Sequence, residues 1–449
     1  MKSGILLHIS SLPSGTLGTD AFTFVDFLAE TNQSYWQILP LNPPDPYDSP
    51  YQSFSAFAGN ENFVEPGKET VGFDKFCVDG NFFDYALFMT LKDVYKTAWN
   101  LWPEKYKNRN KKALAVFAEE HRNKIRHRQF RQFLFFKQWA ELKKYANNQG
   151  VEIIGDIPIY VAYDSVDVWC TPEMFELDKK GKMKCVAGVP PDYFSESGQL
   201  WGNPIYNWKH IKDTGYKWWT ERFKNAMELF DIVRVDHFRG FSAYYTVPCG
   251  NTDARKGKWE DGPGIELFNT IKKTVPDCRI IAEDLGVSDK ALIELVADSG
   301  FPSMAVVQFG LDGNLKNKHL PVNYKSNMAV YSGTHDNDTL TGFLSSLNKK
   351  DKEAMLVSVK HCCKKTGLPY NPEMSDGKIA DLIISLLMKS GADTVIIPIQ
   401  DWLQQNSESR MNTPSTVSGK NWTYRINQSN LKSETLKVKI KKITSLRNS

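Results

Sequence analysis

The chain has 449 residues, of which 41% are hydrophobic and 24% charged, and its 56 basic and 52 acidic residues leave a net charge of +4. These are the values of a globular protein long enough to bury a core without disulfides or metals. The balanced charge argues against a nucleic-acid or anionic-membrane surface, and no run of about 18 apolar residues is available to span a bilayer.

The first apolar stretch stops at His8, too short for the core of a signal peptide. Seven cysteines are scattered without a Cys-x-x-Cys pair, and Cys362 and Cys363 are adjacent rather than spaced for zinc. A reduced, cytoplasmic setting is therefore expected. The aromatic content is unusual, with 12 Trp, 18 Tyr and 26 Phe; much of it must be core, but the flat rings and polar edges of Trp and Tyr also suit amphipathic ligands such as sugars.

Taken in chain order, eight short apolar runs end in polar residues: 4–9, 36–41, 152–160, 231–238, 279–285, 303–309, 328–335 and 393–398. None alternates strictly, which is how strands buried on both faces of a parallel sheet read. Helical spacing fills most gaps, as at 290–299 and 377–389. This alternation predicts an α/β fold, a (β/α)8 TIM barrel. An open doubly wound sheet is the rival, but no Gly-x-Gly-x-x-Gly turn follows the first run and no Walker A loop occurs.

Two gaps exceed ordinary connections. Residues 42–149, with helical patterns near 83–99 and 111–148, and residues 161–230 are expected to be subdomains inserted on the C-terminal face of one barrel spanning 1–449. The basic stretch 122–144 interleaves its charges with Phe and Trp at helical spacing, and reads as the solvated face of a long helix. After the eighth run the loop 410–422 and one more apolar-patterned stretch leave no room for a C-terminal β-sandwich.

The chemistry concentrates at three run ends. In the fourth, Arg234 and Asp236 alternate, so both side chains point into the barrel mouth. The cation would keep Asp236 ionised and nucleophilic; a purely structural ion pair is the alternative. In the fifth, Glu283 closes an apolar strand, where partial desolvation would raise its pKa towards that of a general acid. Asp284 points the other way and suits a helix cap better. The seventh ends in His335-Asp336-Asn337-Asp338, a polar cluster that packing does not explain. Retaining glycosyl transfer needs two carboxyls about 5–5.5 Å apart, and neighbouring barrel strands, about 4.8 Å apart, can supply that spacing. Asp236, His237, Glu283, His335 and Asp336 also include metal-ligand types, but without His-x-His or His-x-x-x-His spacing. Neither a metal nor a cofactor is expected.

These segments together resemble glycoside hydrolase family 77, the 4-α-glucanotransferases. The likeness runs through Gly4-Ile5-Leu6-Leu7-His8-Ile9-Ser10-Ser11-Leu12-Pro13, Ser49-Pro50-Tyr51-Gln52-Ser53-Phe54, Gly155-Asp156-Ile157-Pro158-Ile159-Tyr160 and Gly198-Gln199-Leu200-Trp201-Gly202-Asn203-Pro204. It continues through the three carboxylate segments to Arg410-Met411-Asn412-Thr413-Pro414. The resemblance implies a barrel of the α-amylase clan with Asp236 as nucleophile, Glu283 as acid/base and Asp336 as transition-state stabiliser, supported by Arg234 and His335. It further implies that Ser49, Tyr51, Asp192, Gln199, Trp201 and Asn412 line the sugar subsites. The expected activity is transfer of α-1,4-glucan segments from a malto-oligosaccharide to the 4-hydroxyl of another glucan or glucose. A retaining α-glucan hydrolase and a non-catalytic glucan-binding protein are the alternatives. The loops 40–46, 61–66 and 410–422 depart from the family pattern, so donor and acceptor length are left open.

Overall fold

The computed structural model describes residues 1–191, 196–286 and 289–448. Eight parallel strands form the barrel: β1 (Lys2–Leu6), β2 (Tyr35–Gln37), β3 (Glu152–Ile157), β4 (Ile232–Val235), β5 (Ile280–Ala282), β6 (Ser303–Val306), β7 (Met328–Tyr331) and β8 (Thr394–Pro398). Their spatial order is β6-β7-β8-β1-β2-β3-β4-β5. The Ala282 N–H donates to the Pro302 carbonyl at 2.9 Å, joining the two ends of that order into a closed barrel. Each of the eight expected runs overlaps one of these strands, and the doubly wound alternative is excluded.

The strands are shorter than the runs because the chain turns once it reaches the barrel rim. The run 303–309, for example, continues beyond β6 as the 3-10 turn Val307–Gly310. Close packing dictates some small residues. A Cβ on Gly155 of β3 would lie 2.2 Å from the Phe230 ring, so only glycine lets the strand take that neighbour.

The helices Arg122–Asn148 and Lys217–Leu229 lead directly into β3 and β4 and pack on the barrel wall. In the former, Trp139 is buried and its indole N–H donates to the Leu229 carbonyl. Its basic face is less open than expected. Arg126 pairs with Asp74, Arg128 with Asp93 and Glu61, and Lys143 with Asp231. The charges fasten the helix to its surroundings rather than only solvating it. The terminal helix Glu434–Thr444 packs on the helix Asp376–Met388.

One element was not anticipated. An antiparallel sheet joins Gln199–Pro204, Cys185–Val189, Ala243–Pro248 and Lys258–Asp261, in that order. It draws strands from both sides of β4. Among the described residues no helix is long and apolar enough to cross a membrane, and all seven cysteines are free thiols.

Candidate active site

Arg234 and Asp236 leave β4 on one side, as strand alternation requires. The Arg234 Nη2 lies 3.0 Å from Asp236 Oδ1. Its Nη1 lies 2.6 Å from Oδ2 of Asp156, the residue opposite Arg234 on β3. The Tyr51 hydroxyl donates to that same Asp156 oxygen at 2.6 Å. Arg234 is 4% exposed and Asp156 1%, so neither charge has water to stabilise it and each depends on the other. Burial pushes the Asp156 carboxyl up, against the pull of Arg234. Burial also works against the guanidinium, but Asp156 and Asp236 together keep it charged.

Asp236 and Glu283 end neighbouring strands whose register pairs Val235 with Ala282. His237 takes a left-handed backbone conformation, φ 48°, uncommon for a residue with a side chain. Its N–H donates to Glu283 Oε2 at 2.7 Å, and the Leu285 N–H to Oε1 at 3.1 Å. Burial pushes the Glu283 carboxyl up to about 8, with Arg234 pulling down and Asp236 pushing up. Two carboxyls on adjacent strand ends thus sit in opposed environments, one ion-paired and the other protonated at neutral pH. Asp284 faces away, as alternation requires, but accepts the Met304 N–H of β6 at 2.8 Å instead of capping a helix. The helix Lys290–Ser299 is capped by Asp289.

Asp336 lies beyond β7 and projects into the cleft with 47% of its side chain exposed. The Asn412 amide donates to its Oδ1 at 2.6 Å, and His335 Nε2 lies 3.4 Å from Oδ2. The cleft walls push the Asp336 carboxyl up, but His335 and Asn412 outweigh them and hold it at about 2. The Tyr51 ring stacks on His335, centroids 4.8 Å apart. Tyr51 therefore touches both the Asp156–Arg234 pair and the His335–Asp336 pair.

These groups open onto a cleft of about 480 Å³ whose walls include Ser49, Tyr51, Gln199, Trp201, Asp236, His335, Asp336 and Asn412. Ser49 and Tyr51 come from the loop after β2, while Gln199 and Trp201 come from the edge strand of the small sheet. The Trp201 indole N–H donates to Gln199 Oε1 at 3.2 Å, and its ring meets His237 edge-on at 4.7 Å. Glu283 is not on this wall; its carboxyl faces the backbone of His237 and Leu285. Asp192, expected in the subsites, lies outside the described residues. Among the described residues no group of three or more His, Cys, Asp or Glu is arranged to hold a metal.

An aromatic cleft with opposed carboxyls at the mouth of a parallel barrel is the architecture the sequence resemblance implies. Residues 7–71 and 64–430 match the family described as 4-alpha-glucanotransferase, glycoside hydrolase family 77. The chain belongs to this family. The 4-alpha-glucanotransferase of Clostridium butyricum is 38% identical over 474 residues, covering 93% of this chain and 95% of that one. That of Thermus thermophilus is 39% identical over 478 residues, covering 94% of each. Among solved structures, the amylomaltase from Streptococcus agalactiae in complex with acarbose superposes with a TM-score of 0.92 at 36% identity, covering 100% of this chain and 99% of that one.

For a chain of the 4-α-glucanotransferase family, sequence reasoning overlooked several residues at the site. Asp156 is the foremost: its segment carried part of the resemblance, but a single acid inside an apolar strand gave no sign of its partners. Arg410 donates to the Asp336 carbonyl at 2.5 Å and to the Asn412 carbonyl at 2.7 Å, fixing both ends of the Asn412–Asp336 bond. Trp422 sits 5.9 Å from both the Tyr51 and His335 rings. Its place in an aromatic-poor loop was the available signal.

Proposed function

We propose that the protein transfers α-1,4-glucan segments from a donor malto-oligosaccharide to the 4-hydroxyl of a second glucan or glucose by double displacement with retention. Glu283 gives its proton to the glycosidic oxygen while an Asp236 oxygen attacks the anomeric carbon. The glycosidic bond breaks, the reducing-end fragment leaves with the proton, and a glycosyl ester of Asp236 remains. Glu283, now a carboxylate, takes the proton of the incoming 4-hydroxyl as that oxygen displaces Asp236. Asp336, ionised across the working pH range, is assigned the ring hydroxyls, bonded more tightly as positive charge develops at the anomeric centre. His335 and Arg234 support these groups, and Ser49, Tyr51, Gln199, Trp201 and Asn412 are assigned to sugar subsites, as is Asp192 on sequence alone.

The observation that carries this reading is the division of labour around Arg234. It is paired to Asp236, while burial keeps a proton on Glu283 at the next strand end. The Glu283 proton donor must turn from the His237 and Leu285 N–H groups towards the bound sugar, which this reading takes to happen on substrate binding. We further read the chain as a single catalytic barrel, 1–449, whose inserted segments 42–149 and 161–230 wall the cleft, with Tyr51 and Trp201 as their contributions. A cytoplasmic setting is part of the proposal, supported by seven cysteines that stand as free thiols.

Incubation with maltotriose and separation of the products tests the reaction. Glucose together with oligosaccharides longer than maltotriose is the expected result. Glucose and maltose alone would make the protein a hydrolase, and an unchanged substrate would leave only glucan binding.

A further inference from the structure

Asp401 lies in the short helix Ile399–Trp402 that follows β8, is 1% exposed, and lines no part of the substrate cleft. Its two carboxylate oxygens are both committed. The Ser332 hydroxyl donates to Oδ2 at 2.5 Å and the Leu340 N–H to Oδ1 at 2.7 Å. Ser332 and Leu340 are fully buried; Ser332 opens the loop that carries His335 and Asp336, and Leu340 begins the helix Leu340–Ser346 that closes the segment 332–340. One carboxylate therefore pins both feet of this loop. The residue before it in the chain holds the facing loop: the Gln400 amide donates to the Ser409 carbonyl at 3.3 Å, just before Arg410. Arg410 and Asn412 then reach across to the Asp336 carbonyl and carboxylate. A cavity of about 30 Å³ is bordered by Thr334, His335, Asp401 and Arg410. Further contacts hold the middle of the loop: the Gln308 amide donates to the Asp338 carbonyl and the Ser407 hydroxyl to its carboxylate, leaving Asp401 as the group that ties the two ends together.

We propose that Asp401 is a positioning residue for Asp336, fixing the height and tilt of the 332–340 loop in the cleft. This rests on the reading of Asp336 as the group that stabilises the transition state. A carboxylate that acts only as the reaction centre charges must be held to within a fraction of an ångström, and a displacement near 1 Å costs on the order of 100-fold in rate. A buried acceptor with two good donors is a stiff anchor, whereas its loss leaves the Leu340 N–H without a partner.

The test is kinetic and uses the full chain. Asp401→Ala is expected to lower kcat with maltotriose on the order of 100-fold, with KM little changed, because ground-state contacts from the Tyr51 and Trp201 walls are untouched. Asp401→Asn should recover most of that loss, since its amide oxygen can accept from Leu340 and its NH₂ can donate to the Ser332 oxygen. The same Ala substitution made in an Asp336→Asn background should cost little more, because the group being positioned is already disabled. An equal fold-loss in both backgrounds overturns the proposal, as does an Asn variant as impaired as Ala. If Asp401→Ala does not fold, Ser332→Ala removes one of the two tethers and is read in the same cycle. A wild-type rate in Asp336→Asn alone would instead bring down the assignment of Asp336, an outcome separable from any result at Asp401.

Discussion

Replacing Arg234 by methionine removes a cation that both Asp156 and Asp236 touch, while keeping a side chain of similar length. Two magnitudes follow. Asp156 is 1% exposed and would be left as a buried carboxylate without a counter-charge, a change that costs about 3–5 kcal/mol. At about 2.1 cal/mol/K per residue, 449 residues give an unfolding entropy of about 0.9 kcal/mol/K, so Tm should fall by about 3–5 °C. The Asp236–Arg234 attraction, at an effective dielectric of about 20 and with charge centres about 4 Å apart, is worth about 4 kcal/mol. That bounds the loss in kcat/KM at roughly 10³-fold. A third effect has a definite sign. Arg234 pulls the Glu283 carboxyl down from where burial would put it, so its removal raises Glu283 further. Wild-type activity should decline as pH rises through about 8, where Glu283 loses its proton. In Arg234→Met the decline should move to higher pH. The assay is kcat/KM for maltotriose disproportionation from pH 5 to pH 10, beside a thermal melt of both proteins. An alkaline limb that stays in place or moves down, or a melt unchanged from wild type, would refute the account of Arg234 as the shared counter-charge.

Glu283→Gln should be nearly inactive with natural glucans but still cleave a donor whose leaving group needs no proton. Its stability should follow a definite pH course. The folded pKa of Glu283 is raised from 4.5 to about 8, so its contribution is fully present below 4.5 and is lost as pH rises through about 8. The Gln variant should therefore match wild type in acid and exceed it at pH 9, as read by chemical denaturation; a constant difference across that range would contradict the burial of Glu283. Asn412→Ala removes a hydrogen bond of 2.6 Å to the Asp336 carboxylate. Bonds to charged groups contribute about 1.5–3 kcal/mol, so kcat/KM should fall roughly 10- to 100-fold, and an unchanged value would show that the 410–422 loop does not support Asp336.

The barrel was legible because its signal is local. Each strand is a short apolar run, and a strand with both faces buried needs nothing more than its own residues to announce itself. The helix Lys290–Ser299 was equally plain, because its helical spacing lies within one segment, although the acid that caps it is Asp289 rather than Asp284. The small antiparallel sheet was not. Its strands come from 185–204 and 243–261, on either side of β4, and each is too short and mixed in composition to stand out. The basic helix was legible as a long helix with a largely exposed charged face, but periodicity shows which face carries the charges, not that Asp74, Asp93 and Asp231 meet some of them there.

At the site the same division holds. Alternation along β4 was enough to put Arg234 and Asp236 on one side, and the barrel pattern made β4 and β5 neighbours, while their register, Val235 beside Ala282, came only with the structure. The sequence by itself therefore determined the order of the strands and which strand ends carry acids. It did not determine what those acids meet. Asp156 lies 78 residues from Arg234 and 105 from Tyr51, and nothing in its own segment points to either. The proton on Glu283 and the tethering of the Asp336 loop by Asp401 depend on how fully each carboxyl is removed from water and on which distant donors reach it. Desolvation and long-range hydrogen bonding exist only once the chain has closed on itself, and for that reason the tertiary structure alone decided them.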